Sequence, residues 1–438
     1  MSLNRREFLG SVGAGASAVL VAAQAAAQEF PTSSRELWQM LRVQPMVDSA
    51  LTWLDSAGLA PSLRSVLVEE YRQREALSVD RERYLNERCS GEALERLLGA
   101  VGQFVGASAD DLLITSGATQ ALSSVAAGLD FTPDDEILTT THDHPAAVYP
   151  WLLQAKRRGL KVIQVPLPSP VAAPAEIVEA FSAAISDRTR LMCFSHVQYT
   201  DGCVLPVHEL CALARARNIL TLVDGAQAVG MIPLDLRTLG CDFYAASLHK
   251  WLNGPAATGL LYFGDGARFR LWPTEVADHG DWEALDRFGT ADSAPSMPQR
   301  ATWPAALRKF SYEIPHTAPL LHAVAPAIAL QQEIGQQRVA ARIRELAWYL
   351  RMDLQRIAGV RVLTPAHPEL WAGIVSFQVP GIEQGELVAA LAAQERIIVR
   401  RVQHGGIGFD CIRASPHVYN DHSDLDRFIA ALRRRVRS

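Results

Sequence analysis

Two chemically useful residues stand just beyond consecutive apolar segments of the chain. Lys250 follows the strand-like run 241–246, and Asp224 closes the apolar run 219–223. A lysine amine can condense with an aldehyde, and a carboxylate can keep a pyridinium nitrogen protonated so that the ring accepts electrons from a substrate carbanion. The pair, in this order, predicts a pyridoxal 5'-phosphate (PLP) site in which Lys250 is the catalytic residue.

A small-residue turn upstream could bind the phosphate of this cofactor. Gly117, Ala118 and Thr119 stand between a predicted short strand and a helical stretch. Small residues there let backbone N–H groups close around a dianion, and the threonine adds a hydroxyl. Taken alone, the turn fits an ordinary strand-to-helix connection better. Combined with the aspartate and lysine downstream, it predicts a phosphate-binding turn.

These motifs resemble those of the class V aminotransferases, a group of fold-type-I PLP-dependent enzymes that includes cysteine desulfurases and isopenicillin N epimerases. The resemblance extends from about residue 51 to residue 428, and its most specific parts are residues 224–227 and 247–250. It implies a fold-type-I PLP-dependent transferase that forms a homodimer. The amino-acid sequences of the motifs are most similar to those of the isopenicillin N epimerase-like members.

The resemblance implies roles for five further residues. Gln227 would contact the ring hydroxyl of the cofactor, and Ser247 and His249 would bind its phosphate. Thr290 matches the threonine that reaches the phosphate bound by the neighbouring subunit. Arg413 matches the arginine that binds the substrate α-carboxylate.

The resemblance also implies that the residue that stacks on the cofactor ring lies in the loop 141–145, where His144 is preferred over His142. Two histidines with one residue between them could also belong to a metal site. No third ligand with convincing spacing follows, so no metal is expected. Tyr199 lies where desulfurases carry an asparagine near the ring, and it could stack, donate a proton or simply pack. It is a candidate substrate-binding residue.

The N-terminus carries the pattern of a twin-arginine export signal. Arg5 and Arg6 precede a weakly apolar stretch rich in glycine and alanine, which ends in small residues near Ala27. The apolar run is shorter than the roughly 20 residues that a membrane span needs. Residues 1–27 are therefore predicted to be a signal peptide that engages the twin-arginine translocation machinery. Because this route carries folded proteins, the enzyme could be exported to the periplasm, or secreted, with its cofactor already bound.

Charge and cysteine content exclude other classes of protein. The net charge of −5 becomes −6 when the signal peptide removes two arginines and one glutamate, and no basic stripe is present. A mildly acidic chain of this kind is not expected to bind nucleic acid. The six cysteines include no C-x-x-C pair, so zinc or redox chemistry has no support.

The organisation of the chain predicts an α/β fold with two domains. Short apolar strands alternate with helical segments between about residues 111 and 264, which favours a sheet covered by helices on both faces, with ligands at the strand ends. The seven predicted strands are 112–115, 136–140, 161–166, 190–196, 219–223, 241–246 and 259–263. A large PLP-binding domain with a seven-stranded mixed sheet is expected over residues 61–305, and a smaller C-terminal α+β domain over 306–438. Residues 28–60 are expected to pack on the smaller domain.

The predicted site supports carbanion chemistry on an amino acid but leaves the outcome open. A freed Lys250 amine can remove the α-proton of the substrate. Reprotonation from the opposite side then gives epimerisation, reprotonation on the cofactor gives transamination, and loss of a β-substituent gives a lyase reaction. Epimerisation also needs a second acid opposite the lysine, for which Tyr199 and Tyr84 are candidates.

One reaction of the family is disfavoured by the sequence. A cysteine desulfurase needs a mobile cysteine shortly before the carboxylate-binding arginine, and residues 399–410 contain none. Cys411 is only two residues from Arg413, in a strand-like position typical of a packed core cysteine.

An isopenicillin N epimerase-like enzyme acting on an amino acid or on a peptide metabolite is therefore preferred, and three alternatives stay open. The first is a periplasmic aminotransferase or C–S/β-lyase that tailors a siderophore or peptide. The second is a non-catalytic scaffold with a PLP-enzyme fold. The third, a zinc hydrolase built on His142, His144 and His249, would bind metal instead of PLP.

Overall fold

The computed structural model describes residues 33–89, 91–267, 270–272, 274 and 314–436. The predicted signal peptide and Thr290 lie outside these ranges. Among the described residues, no helix combines the length and the apolar character that crossing a membrane would require.

The large domain is built on a seven-stranded mixed sheet, as the sequence predicts. Its strands are β2 (Leu112–Thr115), β3 (Glu136–Thr140), β4 (Lys161–Val165), β5 (Thr189–Ser195), β6 (Leu220–Asp224), β7 (Phe243–Ser247) and β8 (Gly259–Phe263). Their order across the sheet is β2-β8-β7-β6-β5-β3-β4. Strands β3 to β7 are mutually parallel, and β8 runs antiparallel to both β7 and β2. The carboxyl ends of six strands therefore meet at one edge, where ligands of α/β sheets bind.

Helices cover both faces of this sheet and bury two apolar cores. The helices of the large domain and of the segment before it are α1 (Ser34–Leu41), α2 (Arg64–Val79), α3 (Arg81–Arg88), α4 (Gly91–Val105), α5 (Ala118–Gly128), α6 (Pro145–Arg158), α7 (Pro174–Ala184), α8 (Val207–Arg215) and α9 (Leu236–Leu239). Alternate residues of each buried strand face opposite cores: Leu222 packs on one side and Val223 on the other. Both faces of the sheet are therefore apolar, and polar residues are concentrated at its carboxyl edge.

The smaller domain joins an antiparallel sheet to helices, in keeping with the α+β prediction. Its sheet has the order β12 (Arg400–His404), β13 (Phe409–Ala414), β10 (Val375–Gln378) and β9 (Arg361–Val362). The described helices after residue 313 are α10 (Ile314–His322), α11 (Ala325–Ile334), α12 (Gln336–Gln355), α13 (Gln384–Glu395) and α14 (His422–Val436). Strand β12 was not predicted, because its residues are mostly polar and it lies at the edge of the sheet, where the buried face is small.

The segment before the large domain contacts both domains. Strand β1 (Thr52–Trp53) pairs in parallel with β11 (Ile397–Ile398) of the small domain. Leu37 and Leu41 of α1 lie in a core that includes residues of the large sheet, such as Val223, and residues of the later helices, such as Ile328. This segment therefore ties the two domains together at the carboxyl edge of the large sheet.

We expect Gly225→Ala to destabilise the protein by about 1–3 kcal/mol, because an added Cβ would overlap the buried Tyr244 ring. Chemical denaturation would measure the change. Gly99→Ala is the matched control, since apart from its chain neighbours and the backbone of α4 itself no atom lies within 4 Å of the added Cβ. Equal unfolding free energies for the two variants would contradict this account of the turn after β6.

Candidate active site

A cavity of about 150 Å³ opens at the carboxyl edge of the large sheet. It brings together ten residues that the sequence singles out. They are Gly117, Ala118, Thr119, His144, Tyr199, Asp224, Gln227, Ser247, His249 and Lys250. Each of them lies at the carboxyl end of β2, β3, β5, β6 or β7 or within four residues after it, so the sheet order places them side by side.

The turn after β2 forms a cradle for a phosphate group. Gly117 has φ +149°, which L side chains rarely adopt, and a Cβ there would lie 3.4 Å from the Cε1 atom of His249. The backbone N–H of Ala118 donates to the Oγ atom of Ser247 at 3.3 Å, which joins the turn to the end of β7. Because Gly117 leaves this space open at the N-terminus of α5, the residues present fit a bound phosphate.

His249 is held in one orientation beside this cradle. Its Nδ1 atom donates to the carbonyl of Thr258 at 3.0 Å, since a carbonyl can only accept. Burial lowers the pKa of His249, and the nearby Lys250 charge adds to this effect. A neutral ring with Nδ1 bonded in this way leaves Nε2 for another partner.

Lys250 and Asp224 are charged groups held largely away from water. Burial lowers the pKa of Lys250 to about 8, and the Asp224 carboxylate partly opposes this shift. Asp224 is 4% exposed, and burial raises its pKa, whereas the Ala226 N–H that it accepts at 2.9 Å lowers it. A lysine with this pKa is still mostly protonated at pH 7, but a much larger fraction of it is uncharged than of an ordinary lysine, so its amine can act as a nucleophile or a base.

His144 and Tyr199 lie on the side of Asp224 away from Lys250, after β3 and β5. His144 caps α6, where its Nδ1 atom accepts the N–H of Ala146 at 3.1 Å. Its ring meets that of Tyr199 edge to face, with centroids 4.8 Å apart. Part of the imidazole faces the open cavity, yet the protein around the rest of it, with the charges of Lys250 and Arg413, lowers its pKa to about 4. His144 is therefore a neutral, flat group suited to stack on a ring.

His142 does not line the cavity. It is 2% exposed, its Nδ1 atom lies 2.9 Å from the hydroxyl of Thr200, and its ring contacts Phe409 edge to face. These contacts make it a packing residue. Within the described ranges, no group of three or more histidine, cysteine or acidic side chains is placed to hold a metal ion.

Two residues predicted to bind the cofactor or the substrate form hydrogen bonds with other residues of the protein. The amide of Gln227 donates to the carbonyl of Ala57 at 2.8 Å and accepts the indole N–H of Trp251 at 2.8 Å. Arg413 is 2% exposed and does not line the cavity; it lies against the backbone of Tyr199. The predicted ring contact of the glutamine and the carboxylate contact of the arginine both remain predictions.

Two buried carboxylates near the site were missed in the sequence. Asp143, between the two histidines, accepts the N–H of Thr140 at 2.6 Å and both the N–H and hydroxyl of Ser195, and burial raises its pKa to about 6. Asp55 forms an ion pair with Arg413. An acidic residue directly after the apolar run 51–54 was a usable signal for the second.

We expect cofactor-free protein to take up PLP with a rate that rises with pH and has a midpoint near pH 8, because only the uncharged Lys250 amine attacks an aldehyde. Stopped-flow absorbance would give the rate. Borohydride should fix the cofactor in the wild type and in Lys161→Ala, whose lysine is exposed and paired with Asp134, but not in Lys250→Ala. A midpoint near pH 10 would contradict the lowered pKa.

The chain is similar to proteins of related activities. It is 32% identical over 409 residues to the isopenicillin N epimerase of Amycolatopsis lactamdurans, covering 90% of this chain and 98% of that protein. It is also 30% identical over 420 residues to a cysteine desulfurase of Yersinia pseudotuberculosis, covering 93% of this chain and 96% of that protein. Among solved structures, the cystine C–S lyase C-DES in complex with cysteine persulfide matches with a TM-score of 0.74 and 25% identity, over 88% of this chain and 98% of that one.

A variant of C-DES has glycine covalently linked to its PLP cofactor, and it matches this chain with a TM-score of 0.75 and 25% identity, over 92% of this chain and 99% of that one. The family model described as aminotransferase class V matches residues 52–428. The lysine, the buried aspartate and the open phosphate cradle fit that cofactor. The chain therefore belongs to the class V aminotransferase family and is a PLP-dependent enzyme.

Proposed function

We propose that this protein is an isopenicillin N epimerase-like enzyme that inverts an amino-acid centre, either in a free amino acid or in a peptide metabolite. One observation carries the proposal. Lys250 and Tyr199 reach the same cavity from β7 and β5, which lie on either side of the strand that ends in Asp224. Inversion requires proton removal on one side of the α-carbon and proton delivery on the other.

The two residues have complementary proton affinities. PLP, when bound, supplies an electron sink for negative charge at the α-carbon. Lys250, with a pKa of about 8, can hold its Nζ atom uncharged and take the α-proton. Burial raises the pKa of Tyr199 to about 12, so its hydroxyl stays protonated and can donate. Groups with separated pKa values are the usual arrangement for an acid and a base in one site.

The second candidate acid lies elsewhere. Tyr84 is 3% exposed on α3 and does not line the cavity. Its hydroxyl has no hydrogen-bond partner among the described residues. Tyr199 is therefore the acid that supports the proposal.

The cysteines argue against desulfuration. None of the six lines the cavity. Cys411 is fully buried in β13, where burial raises the pKa of its thiol to about 12 and its Sγ atom lies 3.8 Å from the carbonyl of Thr200. A protonated thiol packed in a sheet is a poor nucleophile and has no path to a substrate sulfur.

A second candidate function is a lyase that cleaves a carbon–sulfur bond, which the structural likeness to C-DES favours. The same Lys250 would then remove the α-proton while a β-substituent leaves. Transamination differs only in the atom that receives the proton.

The proposal also includes export by the twin-arginine route to the periplasm and action as a homodimer.

We expect the enzyme, incubated in deuterated water with L-amino acids, isopenicillin N and other peptides with a free amino-acid moiety, to invert the α-carbon and place deuterium on it. The product is the D-enantiomer of an amino acid with one stereocentre, and the epimer of a peptide. Tyr199→Phe should lower the rate of inversion by about 10²–10⁴-fold, because it removes the acid, while exchange of the α-proton continues at Lys250. Chiral chromatography with mass spectrometry would measure both.

The products separate the alternatives. Release of a keto acid indicates a transaminase, and release of pyruvate with a sulfur product indicates a lyase. Tyr149→Phe, an exposed tyrosine of α6, is the matched control and should leave inversion unchanged. Equal inversion by Tyr199→Phe and the wild type would show that another group delivers the proton.

A further inference from the structure

A single carboxylate joins two arginines behind the cavity. The Oδ1 atom of Asp55 lies 3.1 Å from Nη2 of Arg413, and its Oδ2 atom lies 2.8 Å from Nε of Arg400. Asp55 is 2% exposed and Arg413 is 2% exposed, whereas the side chain of Arg400 is 53% exposed. The carboxylate therefore divides its two oxygens between a buried and a partly exposed cation.

The strand pairing makes this carboxylate necessary. Arg400 of β12 is the direct cross-strand partner of Arg413 of β13. Side chains at such positions have Cβ atoms about 4.5–5.5 Å apart, and like charges there repel each other. Asp55 comes from a different part of the chain, just after β1, and places one negative charge on this pair. Without it, the buried guanidinium would carry an uncompensated charge.

The packing around Asp55 fixes its carboxylate closely. Gly58 follows in the same turn, and a Cβ there would lie 2.8 Å from Oδ1 of Asp55 and 2.9 Å from Nε of Arg400. The backbone beside Asp55 is held by the N–H of Ser415, which donates to the carbonyl of Leu54 at 2.7 Å. The carboxylate thus has little freedom to move.

Arg413 connects this arrangement to the cavity. Its Nη1 atom donates to the backbone carbonyl of Tyr199 at 3.1 Å, and Tyr199 lines the cavity. A guanidinium carries five N–H groups in a fixed plane. The contacts with Asp55 and Tyr199 set the direction of that plane and leave further N–H groups for another acceptor.

We propose that Asp55 is a positioning residue, which orients Arg413 so that its remaining N–H groups receive the carboxylate of the substrate. The inference rests on the proposed function, in which the substrate is an amino acid or an amino-acid moiety, and on the predicted role of Arg413 as the group that binds the carboxylate. Asp55 itself touches no substrate. It acts by holding the buried guanidinium in one orientation before the substrate binds. Without Asp55, the flexible arginine side chain would adopt other orientations.

The test compares alanine with alaninamide as probes of the PLP-loaded enzyme, using the change in visible absorption to obtain each Kd. Both probes present an α-amine on the same carbon skeleton, but only alanine carries a carboxylate, and the difference in amine basicity is the same for every variant. Asp55→Asn should weaken alanine binding by roughly 10-fold, because a misdirected donor loses most of its benefit, and should change alaninamide binding by less than about 2-fold. The ratio of the two Kd values removes any effect on Lys250, which both probes share.

Gly58→Ala is the second variant, because it displaces the carboxylate without changing any charge and should reduce the same ratio. Asp48→Asn is the matched control for Asp55→Asn, since Asp48 also pairs with an arginine of the small domain, Arg396, at an exposed place. Gly99→Ala is the control for Gly58→Ala. Both controls should keep the wild-type ratio.

The outcomes separate two kinds of failure. A wild-type enzyme that binds alanine and alaninamide equally would overturn the carboxylate role of Arg413, and the role of Asp55 with it. A wild-type enzyme that prefers alanine, with an unchanged or increased preference in Asp55→Asn or in Gly58→Ala, would overturn the positioning role alone. Thermal melting identifies a variant that is merely unfolded, and the other variant then decides.

Discussion

The site depends on keeping a few charges away from water at one edge of the sheet. Lys250, Asp224, Arg413 and Asp55 are each buried to a degree that would be costly for an isolated ion. Cations and anions alternate in this group, and for Lys250, Asp224 and Arg413 burial and Coulomb attraction shift the pKa in opposite directions. The reactive lysine is the product of this balance: burial brings its pKa towards neutrality, and the carboxylates prevent a larger fall.

The segment before the large domain holds this balance in place. Asp55 contacts Arg413, Ser56 bonds the hydroxyl of Tyr419 at 2.7 Å, and the carbonyl of Ala57 receives the amide of Gln227. Three successive residues thus contact both the small domain and the cavity wall. A movement of the small domain relative to the sheet would disturb the arginine and the glutamine together, since both are fixed through the same short stretch of backbone.

The cofactor and the reaction depend on different parts of the site. Epimerase, desulfurase and C–S lyase relatives match over nearly the same length of chain. In this chain a lysine, a buried aspartate and a phosphate turn fit the PLP cofactor. The outcome depends on which group meets the α-carbon from the side away from the lysine, and on whether a thiol can approach. In this chain the cavity offers Tyr199 and no cysteine.

The sequence alone determined the sheet and the cofactor. The seven strands and the residues that follow them could be read locally, because apolar runs of four to seven residues end at distinctive polar residues such as Asp224. The tertiary structure decided which of these residues meet. The sequence preferred His144 to His142 only through the family resemblance, whereas in the structure His144 is exposed on the cavity and His142 is buried. It missed Asp55, because its partners Arg400 and Arg413 lie more than 300 positions further along the chain. Local patterns in the sequence predict which residues are buried and which backbone geometry they adopt. The pairing of buried charges depends instead on contacts between distant segments of the chain, which form only when the domains pack against each other.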